Sequence, residues 1–297
     1  MIQYLYLGRV DYDQGLRLQA EIAELRYRGR VQNLLLLLEH PPVLTLGRNA
    51  NRANVLASDE LLARRGVILR EIDRGGDVTY HGPGQLVGYP IFDLRSLRNR
   101  DGKRMGPVDF VRQMEEALIR LCGGFGVRAE RVAGLTGVWC PADGSPLDES
   151  GGISPLLAEA AHRERKIGAI GIHVARGITT HGFAFNVTTD LGDFALINPC
   201  GITDRAVTSL ENELRIQKVE SPEGLPSLKS VAHQAARQFG MVFHEQVLAV
   251  ENLAALRAQA ESAPAEPSRF PAEDTPLKIP KEVERLRGRP GSDSSNA

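Results

Sequence analysis

The 297-residue chain is 42% hydrophobic and 25% charged, a balance typical of a globular protein with one large domain or two smaller ones. Its formal net charge of -1 predicts no nucleic-acid partner, although a local basic face could still bind an acidic protein. Three cysteines without a CxxC motif favour neither a disulfide framework nor a zinc site, and they indicate a reducing cytoplasm. No apolar run is long enough to cross a membrane, and the amino terminus does not resemble a signal peptide.

Apolar residues at helical spacing predict two amphipathic helices, at 13–28 and 107–121, and the second is opened by a proline. Two more helices are expected near 226–239 and 244–258. Short apolar runs predict strands at 31–38, 43–46, 67–73, 85–92, 127–132, 136–140, 167–175 and 181–188. Because the strands come in consecutive pairs, the order favours an α+β fold over a doubly wound parallel sheet.

Composition changes near residue 258, after which Pro, Glu, Ser and Ala dominate. Such a segment buries too little apolar surface to offset the entropy lost on ordering. We therefore expect a folded domain over 1–257 and a largely disordered tail over 258–297. The polar, turn-rich stretch 142–160 predicts an insertion loop between two strands.

A period-two pattern on both sides of Arg176-Gly177 predicts an antiparallel hairpin within 166–191. One face of this hairpin carries bulky apolar side chains and should pack into the core. The opposite face carries only small residues, namely Ala169, Gly171, Gly182 and Ala184. Glycine in strands indicates close approach of another group, which could be a packed helix or a thin apolar ligand.

The stretch INPCGI places Cys200 between a proline and a glycine, so its thiol is presented on a turn. A buried, inert cysteine is the alternative at this position. Lys166 opens the predicted hairpin, and the connection 189–199 is long enough to bring it to Cys200, since an extended residue spans at most ~3.6 Å. Cys122 and Cys140 are expected to be packing residues.

The stretch RGGDVTYHGPGQ, over 74–85, matches neither GxGxxG nor a phosphate loop ending in GK[ST]. Gly75 and Gly76 could bring backbone N–H groups against a ligand, whereas His81 alone favours a structural role at a turn. No His, Cys or carboxylate set has the spacing of metal ligands, so no metal is expected.

Four blocks in order, at 35–48, 74–94, 166–191 and 197–202, resemble the lipoyl(octanoyl) transferases of lipoate biosynthesis nearly position for position. The resemblance runs from about residue 4 to about residue 240 and departs from the family pattern at the insertion and the tail. It implies the fold shared with biotin and lipoate protein ligases, an α+β fold with a mixed, largely antiparallel central sheet, a smaller sheet and flanking helices.

The resemblance also implies an activity. The family moves octanoyl from acyl carrier protein to a lysine of lipoyl domains in 2-oxoacid dehydrogenases and the glycine cleavage H protein, in the cytoplasm. It implies Cys200 as the acyl-thioester residue, Lys166 as its acid and base, and a catalytic acyltransferase domain over 1–257. The implied substrate-binding positions are Arg74, Gly75, Gly76, Asp77, Val78, Thr79, Tyr80, His81, Ala169, Ile170, Gly171, Gly182, Phe183 and Ala184. No cofactor is expected, because the acyl group arrives on phosphopantetheine.

The residue chemistry agrees, because a nearby ammonium lowers the pKa of a thiol and makes the thiolate available as nucleophile. Two alternatives stay open: an ATP-dependent lipoate or biotin protein ligase, and a non-catalytic module that binds acyl carrier protein. The sequence leaves undecided the acyl-chain length, the oligomeric state, the oxyanion donors and the roles of His81, His173 and His181.

Overall fold

In the computed structural model, the described residues are 1–99, 102–142, 163–198, 205–220 and 224–263. They belong to a compact unit that spans Met1–Ala265. Cys200, most of the predicted insertion and most of the predicted tail lie outside the described residues.

Strands of the described residues form two sheets. They are β1 (Ile2–Arg9), β2 (Asn33–Glu39), β3 (Val43–Leu46), β4 (Ile68–Glu71), β5 (Val78–His81), β6 (Gln85–Ile91), β7 (Val138–Cys140), β8 (Arg165–Ala175), β9 (Ile178–Asn186) and β10 (Val247–Ala249). The larger sheet has the order β10-β1-β2-β6-β9-β8-β7, and the smaller has the order β4-β3-β5. In the larger sheet only the β10–β1 and β1–β2 pairs are parallel. The predicted α+β fold with a mixed, largely antiparallel sheet is confirmed.

Helices of the described residues flank the two sheets. They are α1 (Tyr12–Tyr27), α2 (Asp59–Arg64), α3 (Pro107–Gly124), α4 (Leu210–Ile216), α5 (Leu228–Phe243) and α6 (Leu253–Ser262). Helices α3 and α5 bury their apolar stripes in one core with the hairpin β8–β9. Helices α1 and α6 contribute to a second core on the opposite face, and a third lies beneath the smaller sheet.

The leucine run of β2 is explained by its position between these two layers. Leu35 and Leu37 belong to the core with α3 and α5, whereas Leu34, Leu36 and Leu38 belong to the core with α1. A central strand covered on both faces needs apolar side chains at every position, so its sequence shows no alternation.

Two predicted elements differ from the structure. The run 127–132 forms no strand among the described residues and makes one bridge, from Glu130 to Trp139. The predicted helix 244–258 is instead β10 followed by α6, because His244 adopts a left-handed conformation, with φ 56°, that ends α5. Helix α6 continues past the predicted boundary at residue 257, and its Ala260 is buried.

The predicted hairpin is present, with Arg176 and Gly177 both at positive φ in the two-residue turn. Its small face is approached by the protein's own backbone. A Cβ added to Gly171 would lie 2.7 Å from the Gly75 oxygen, and one added to Gly182 would lie 2.1 Å from the Gly88 oxygen. Neither a helix nor a ligand is therefore needed to explain these two glycines.

Candidate active site

A cavity of about 540 Å³ lies between the glycine-rich loop, the hairpin β8–β9, the first turns of α3 and residues 134–136. Among the described residues, every predicted site residue lines it except Tyr80. Lys166, the stretches 169–171 and 182–184, and the loop 74–79 with His81 thus share one concave surface, although they come from three distant parts of the chain.

Other cavity-lining residues were not predicted from the sequence. Tyr12 of α1 and Tyr89 of β6 contribute aromatic rings, and Val108 of α3 and Leu135 contribute apolar side chains. Their sequence surroundings predict a helix, a strand or a turn, but nothing local indicates that these elements meet at a cavity.

Tyr80 is the one described residue of the predicted site that does not line this cavity. Alternation along β5 directs its side chain away from the face that carries Thr79 and His81. Its hydroxyl donates to Asp193 at 2.6 Å, and its ring contacts Phe194 in the core beneath the smaller sheet.

The charged residues of the glycine-rich loop hold the loop in place. The guanidinium of Arg74 donates twice to Thr45, to its carbonyl and hydroxyl oxygens, each at 2.9 Å. The carboxylate of Asp77 accepts from the backbone N–H of Asn51 at 3.1 Å and from the side-chain amide of Asn54. These two residues shape the cavity wall, whatever else they bind.

Lys166 lies at the start of β8 between two neighbours. On one side it pairs with Trp139 of β7, and its Nζ lies 4.5 Å from the centre of that indole ring. On the other side its N–H donates to Ala206 and its carbonyl accepts from Thr208, both at 2.9 Å. The half-buried side chain is thereby directed to the cavity wall.

The segment 199–204, which contains Cys200, is bounded by two anchored residues. Asn198 donates its N–H to the Asn54 carbonyl at 2.7 Å, and Arg205 precedes the stretch that pairs with Lys166. Because Asn54 also contacts Asp77, one end of the segment is tied to the glycine-rich loop and the other to Lys166. Cys200 itself lies outside the described residues, so its contact with Lys166 stays a prediction.

His81 is a neutral hydrogen-bond acceptor at the cavity wall. Its Nδ1 lies 2.7 Å from Gln85 Oε1, an acceptor, because the Gln85 amide nitrogen donates to the Tyr80 carbonyl. The proton is therefore on Nδ1, and Nε2 carries a lone pair. Burial, and secondarily nearby His40, lower the pKa of His81 to about 3.

His173 and His181 flank one carboxylate. His181 Nε2 lies 2.8 Å from Asp73 Oδ1, and His173 Nε2 lies 3.5 Å from the other oxygen. Burial lowers the pKa of His181 despite the opposing effect of Asp73. His181 has φ 55° within a strand, and its N–H donates to Gln19 at 2.7 Å, which stabilises this unusual conformation.

Cys122 and Cys140 are fully buried, and burial raises the pKa of both thiols, as expected for unreactive packing residues. Among the described residues, no group of three or more His, Cys, Asp or Glu side chains could hold a metal ion. Within the same ranges no helix has both the length and the apolar character required to cross a bilayer.

Comparison with solved structures defines the fold class. A bipartite lipoate protein ligase from Thermoplasma acidophilum superimposes with a TM-score of 0.57 at 18% identity, covering 88% of this chain and 91% of that one. A lipoate-protein ligase A bound with ATP gives a TM-score of 0.56 at 17% identity, covering 88% and 93%. The chain therefore has the lipoate protein ligase fold.

Sequence comparison gives the family. The profile of the lipoyl protein ligase A/B catalytic domain matches residues 11–230. An octanoyltransferase from Acidobacterium capsulatum is 56% identical over 253 residues, 85% of this chain and 94% of the relative. One from Koribacter versatilis is 49% identical over 265 residues, 89% and 93%. The chain belongs to the octanoyltransferases of the lipoyl protein ligase A/B family, and it is an acyltransferase.

The buried His40, which contacts the cavity-lining Tyr89, should make the free energy of unfolding depend on pH. His40 contacts the Val10 carbonyl at 2.6 Å and the Tyr89 hydroxyl at 2.7 Å, and burial lowers the pKa of His40 to about 4. Unfolded His40 takes up a proton near pH ~6.5, whereas folded His40 resists protonation until about pH 4, so stability is lost as the pH falls. From about pH 7 to about pH 4.5 this residue should remove about 2 to 3 kcal/mol of unfolding free energy, measured by urea titration.

The variant His40→Gln keeps a hydrogen-bonding side chain but does not titrate. We expect it to be less stable at neutral pH and to lose less stability on acidification. The matched control is His244→Asn, an exposed position whose left-handed backbone suits asparagine. Equal acid slopes in His40→Gln and the parent protein would contradict the assignment.

Proposed function

We propose that this acyltransferase moves an octanoyl group from the phosphopantetheine thioester of acyl carrier protein to a lysine of lipoyl domains. Cys200 carries the acyl group as a thioester, and Lys166 acts as acid and then as base. The observation that carries the proposal is the position of Lys166 on the cavity wall, with both ends of the segment that contains Cys200 anchored nearby.

The reach of that segment supports the pairing. Cys200 is two residues beyond Asn198 and five before Arg205. Residues Ala206 to Thr208 bond directly to the backbone of Lys166. A chain of this length permits the thiol to reach the ammonium, since each extended residue spans up to ~3.6 Å.

The first half-reaction loads the enzyme. The Cys200 thiolate attacks the thioester carbonyl, a new C–S bond forms, and the bond to the pantetheine sulfur breaks. The Lys166 ammonium gives its proton to the departing sulfur, so the carrier leaves as a free thiol and Lys166 becomes neutral.

The second half-reaction releases the product. The acceptor lysine, arriving as a neutral amine, attacks the acyl-Cys200 carbonyl while Lys166 takes one of its protons. The C–S bond breaks, the amide remains, and the thiolate–ammonium pair is restored. Thioester exchange is nearly thermoneutral and thioester-to-amide conversion is downhill, so the cycle consumes no ATP.

The described part of the glycine-rich loop narrows the choice of oxyanion donors. The N–H of Gly75 already donates to the Ile172 carbonyl at 3.0 Å. The N–H of Gly76, in contrast, makes no hydrogen bond to another described residue. Gly76, at φ 93°, is therefore the stronger candidate of the two for stabilising the charge that develops on the carbonyl oxygen.

The apolar cavity provides the site for the acyl chain. Ala169 and Ala184 are register partners on the two hairpin strands, and both line the cavity together with Ile170 and Phe183. Alternation turns the two pairs to opposite faces of the hairpin, and the small side chains of Ala169 and Ala184 leave room on their face for an unbranched hydrocarbon chain.

The acceptor follows from the family. The Thermoplasma acidophilum ligase of the same fold is described together with its E2 lipoyl domain. For this chain, the lipoyl domains of 2-oxoacid dehydrogenases and the glycine cleavage H protein are the proposed acceptors.

Intact-mass measurement after incubation with octanoyl-acyl carrier protein tests the covalent step. We expect one octanoyl adduct that forms without ATP and disappears when a lipoyl domain is added. Cys200→Ala should abolish both the adduct and amide formation. The matched control is Cys122→Ala in α3, which removes another thiol and should retain the adduct.

Three outcomes would contradict the proposal. Amide formation by Cys200→Ala would exclude the thioester intermediate, and an octanoyl adenylate formed only with ATP would indicate a ligase instead. A protein that binds the carrier without any transfer would indicate the non-catalytic alternative.

The acyl groove can be tested by filling it. Ala169→Leu adds three carbons opposite Ala184 and should displace the distal part of a long acyl chain. Since each buried methylene contributes about 0.8 kcal/mol, we expect kcat/KM for octanoyl relative to butanoyl donors to fall roughly tenfold to a hundredfold. Ala175→Leu, at the exposed end of the same strand, is the control and should leave the ratio unchanged. An unchanged ratio in Ala169→Leu would place the acyl chain elsewhere.

A further inference from the structure

The indole of Trp139 contacts two cations at the edge of the cavity. Its ring centre lies 4.5 Å from Lys166 Nζ and 5.5 Å from the guanidinium carbon of Arg205. Arg205 is also ion-paired with Glu164. An aromatic face attracts a cation at these distances, and the attraction is stronger where water is excluded.

Trp139 is held firmly enough to position a neighbour. Only 1% of the residue is exposed. Its backbone N–H donates to the Glu130 carbonyl at 3.0 Å, and its backbone carbonyl accepts from the Glu130 N–H at 2.7 Å. On the other edge of β7 it pairs with Lys166. The backbone of Trp139 is thus held on both edges of β7, and burial confines its ring.

The lysine stem is also confined. A Cβ added to Gly137 would lie 3.5 Å from Lys166 Cε and 2.6 Å from the Gly168 oxygen. Gly137, at φ 123°, is tied to α3 because its N–H donates to the buried Glu115 at 3.1 Å. The absence of a side chain at Gly137 leaves the space that the stem of Lys166 occupies.

We propose that Trp139 is a positioning residue for Lys166: its indole holds the ammonium at the cavity wall and favours the charged form of the lysine. This inference rests on the proposed function, in which the Lys166 ammonium stabilises the Cys200 thiolate and protonates the leaving thiol. A ring that favours the ammonium raises the pH at which Lys166 loses its proton. In the acyl-Cys200 state Lys166 is neutral. A ring that favours the ammonium therefore keeps Lys166 charged until it gives its proton to the departing sulfur.

Other charged and titratable groups face the same region from each neighbouring element. They are Arg74, Asp77 and His81 from the glycine-rich loop and β5, Tyr12 from α1, Tyr89 from β6, His181 from β9, Arg112 and Glu115 from α3, and Glu164 and Arg205 beside β8. Their positions and charges are the same in proteins that differ only in the electron density of the indole, so a ring-specific experiment separates Trp139 from them.

The chain contains a single tryptophan, which makes that experiment clean. Biosynthetic replacement of tryptophan by analogues carrying one to four fluorine atoms weakens the cation–π attraction stepwise with little change in shape. Lysine labelled with ¹³C at Cε reports the titration of Lys166 by NMR, and its signal is assigned by its loss in Lys166→Met. We expect the midpoint of the Lys166 titration to fall progressively, by about half to one pH unit at full fluorination.

Two controls are needed. One separates the effect of the Trp139 ring on Lys166 from a loss of packing, and the other separates this inference from the proposed transferase function. Trp139→Phe should keep part of the effect, whereas Trp139→Leu should remove it in a protein that remains folded by circular dichroism. The titration does not depend on transfer: a graded shift supports the inference even without transfer, and absent transfer then counts against the proposed function alone. Identical Lys166 titrations across the fluorinated series would overturn the role of Trp139.

Discussion

The structure depends on one lysine being fixed where a strand begins. Lys166 is bonded through its backbone to the stretch Ala206 to Thr208 and pairs on the other side with Trp139, so its Cα is fixed and its half-buried side chain lines the cavity. The same backbone bonds return the chain to Lys166 only a few residues after Cys200. A single local arrangement therefore supplies both a cation on the cavity wall and a short tether for the thiol.

The remainder of the fold keeps this arrangement narrow and largely apolar. The glycine-rich loop packs against Gly171 because no side chain opposes it, and Arg74 and Asp77 fix that loop through Thr45 and Asn54. The polar groups on the wall are kept neutral where burial dominates, as at His81 and His181. On this wall the proposed Cys200 thiolate would be a counter-ion of the Lys166 ammonium.

Local sequence patterns predicted the parts of the site that are themselves local. The hairpin, its turn at Arg176-Gly177 and the cavity positions Ala169 and Ala184 follow from period-two alternation. The side chain of Tyr80 lies outside the cavity because strand geometry directs alternate side chains of β5 to opposite faces, whereas the motif resemblance covers the whole stretch.

Non-local contacts account for what the sequence did not predict. Val108 and Leu135 line the cavity only because α3 and the following loop cross above the hairpin. Strand β10 pairs with β1, which lies at the far end of the chain. The local sequence of Val247–Ala249 contains no pattern that favours a strand over the predicted helix. The two glycines of the predicted small face are explained by close approach, and the approaching groups are the backbone oxygens of Gly75 and Gly88.

The central claim is that the Lys166 ammonium makes the Cys200 thiol acidic. The most direct measurement is the pH dependence of Cys200 alkylation, followed by peptide mass spectrometry so that the buried Cys122 and Cys140 are scored separately. The account predicts a midpoint at least about one unit below the ordinary thiol value of ~8.5 in the parent protein, and a rise of at least about one unit in Lys166→Met. Superimposable profiles for the two proteins would contradict it.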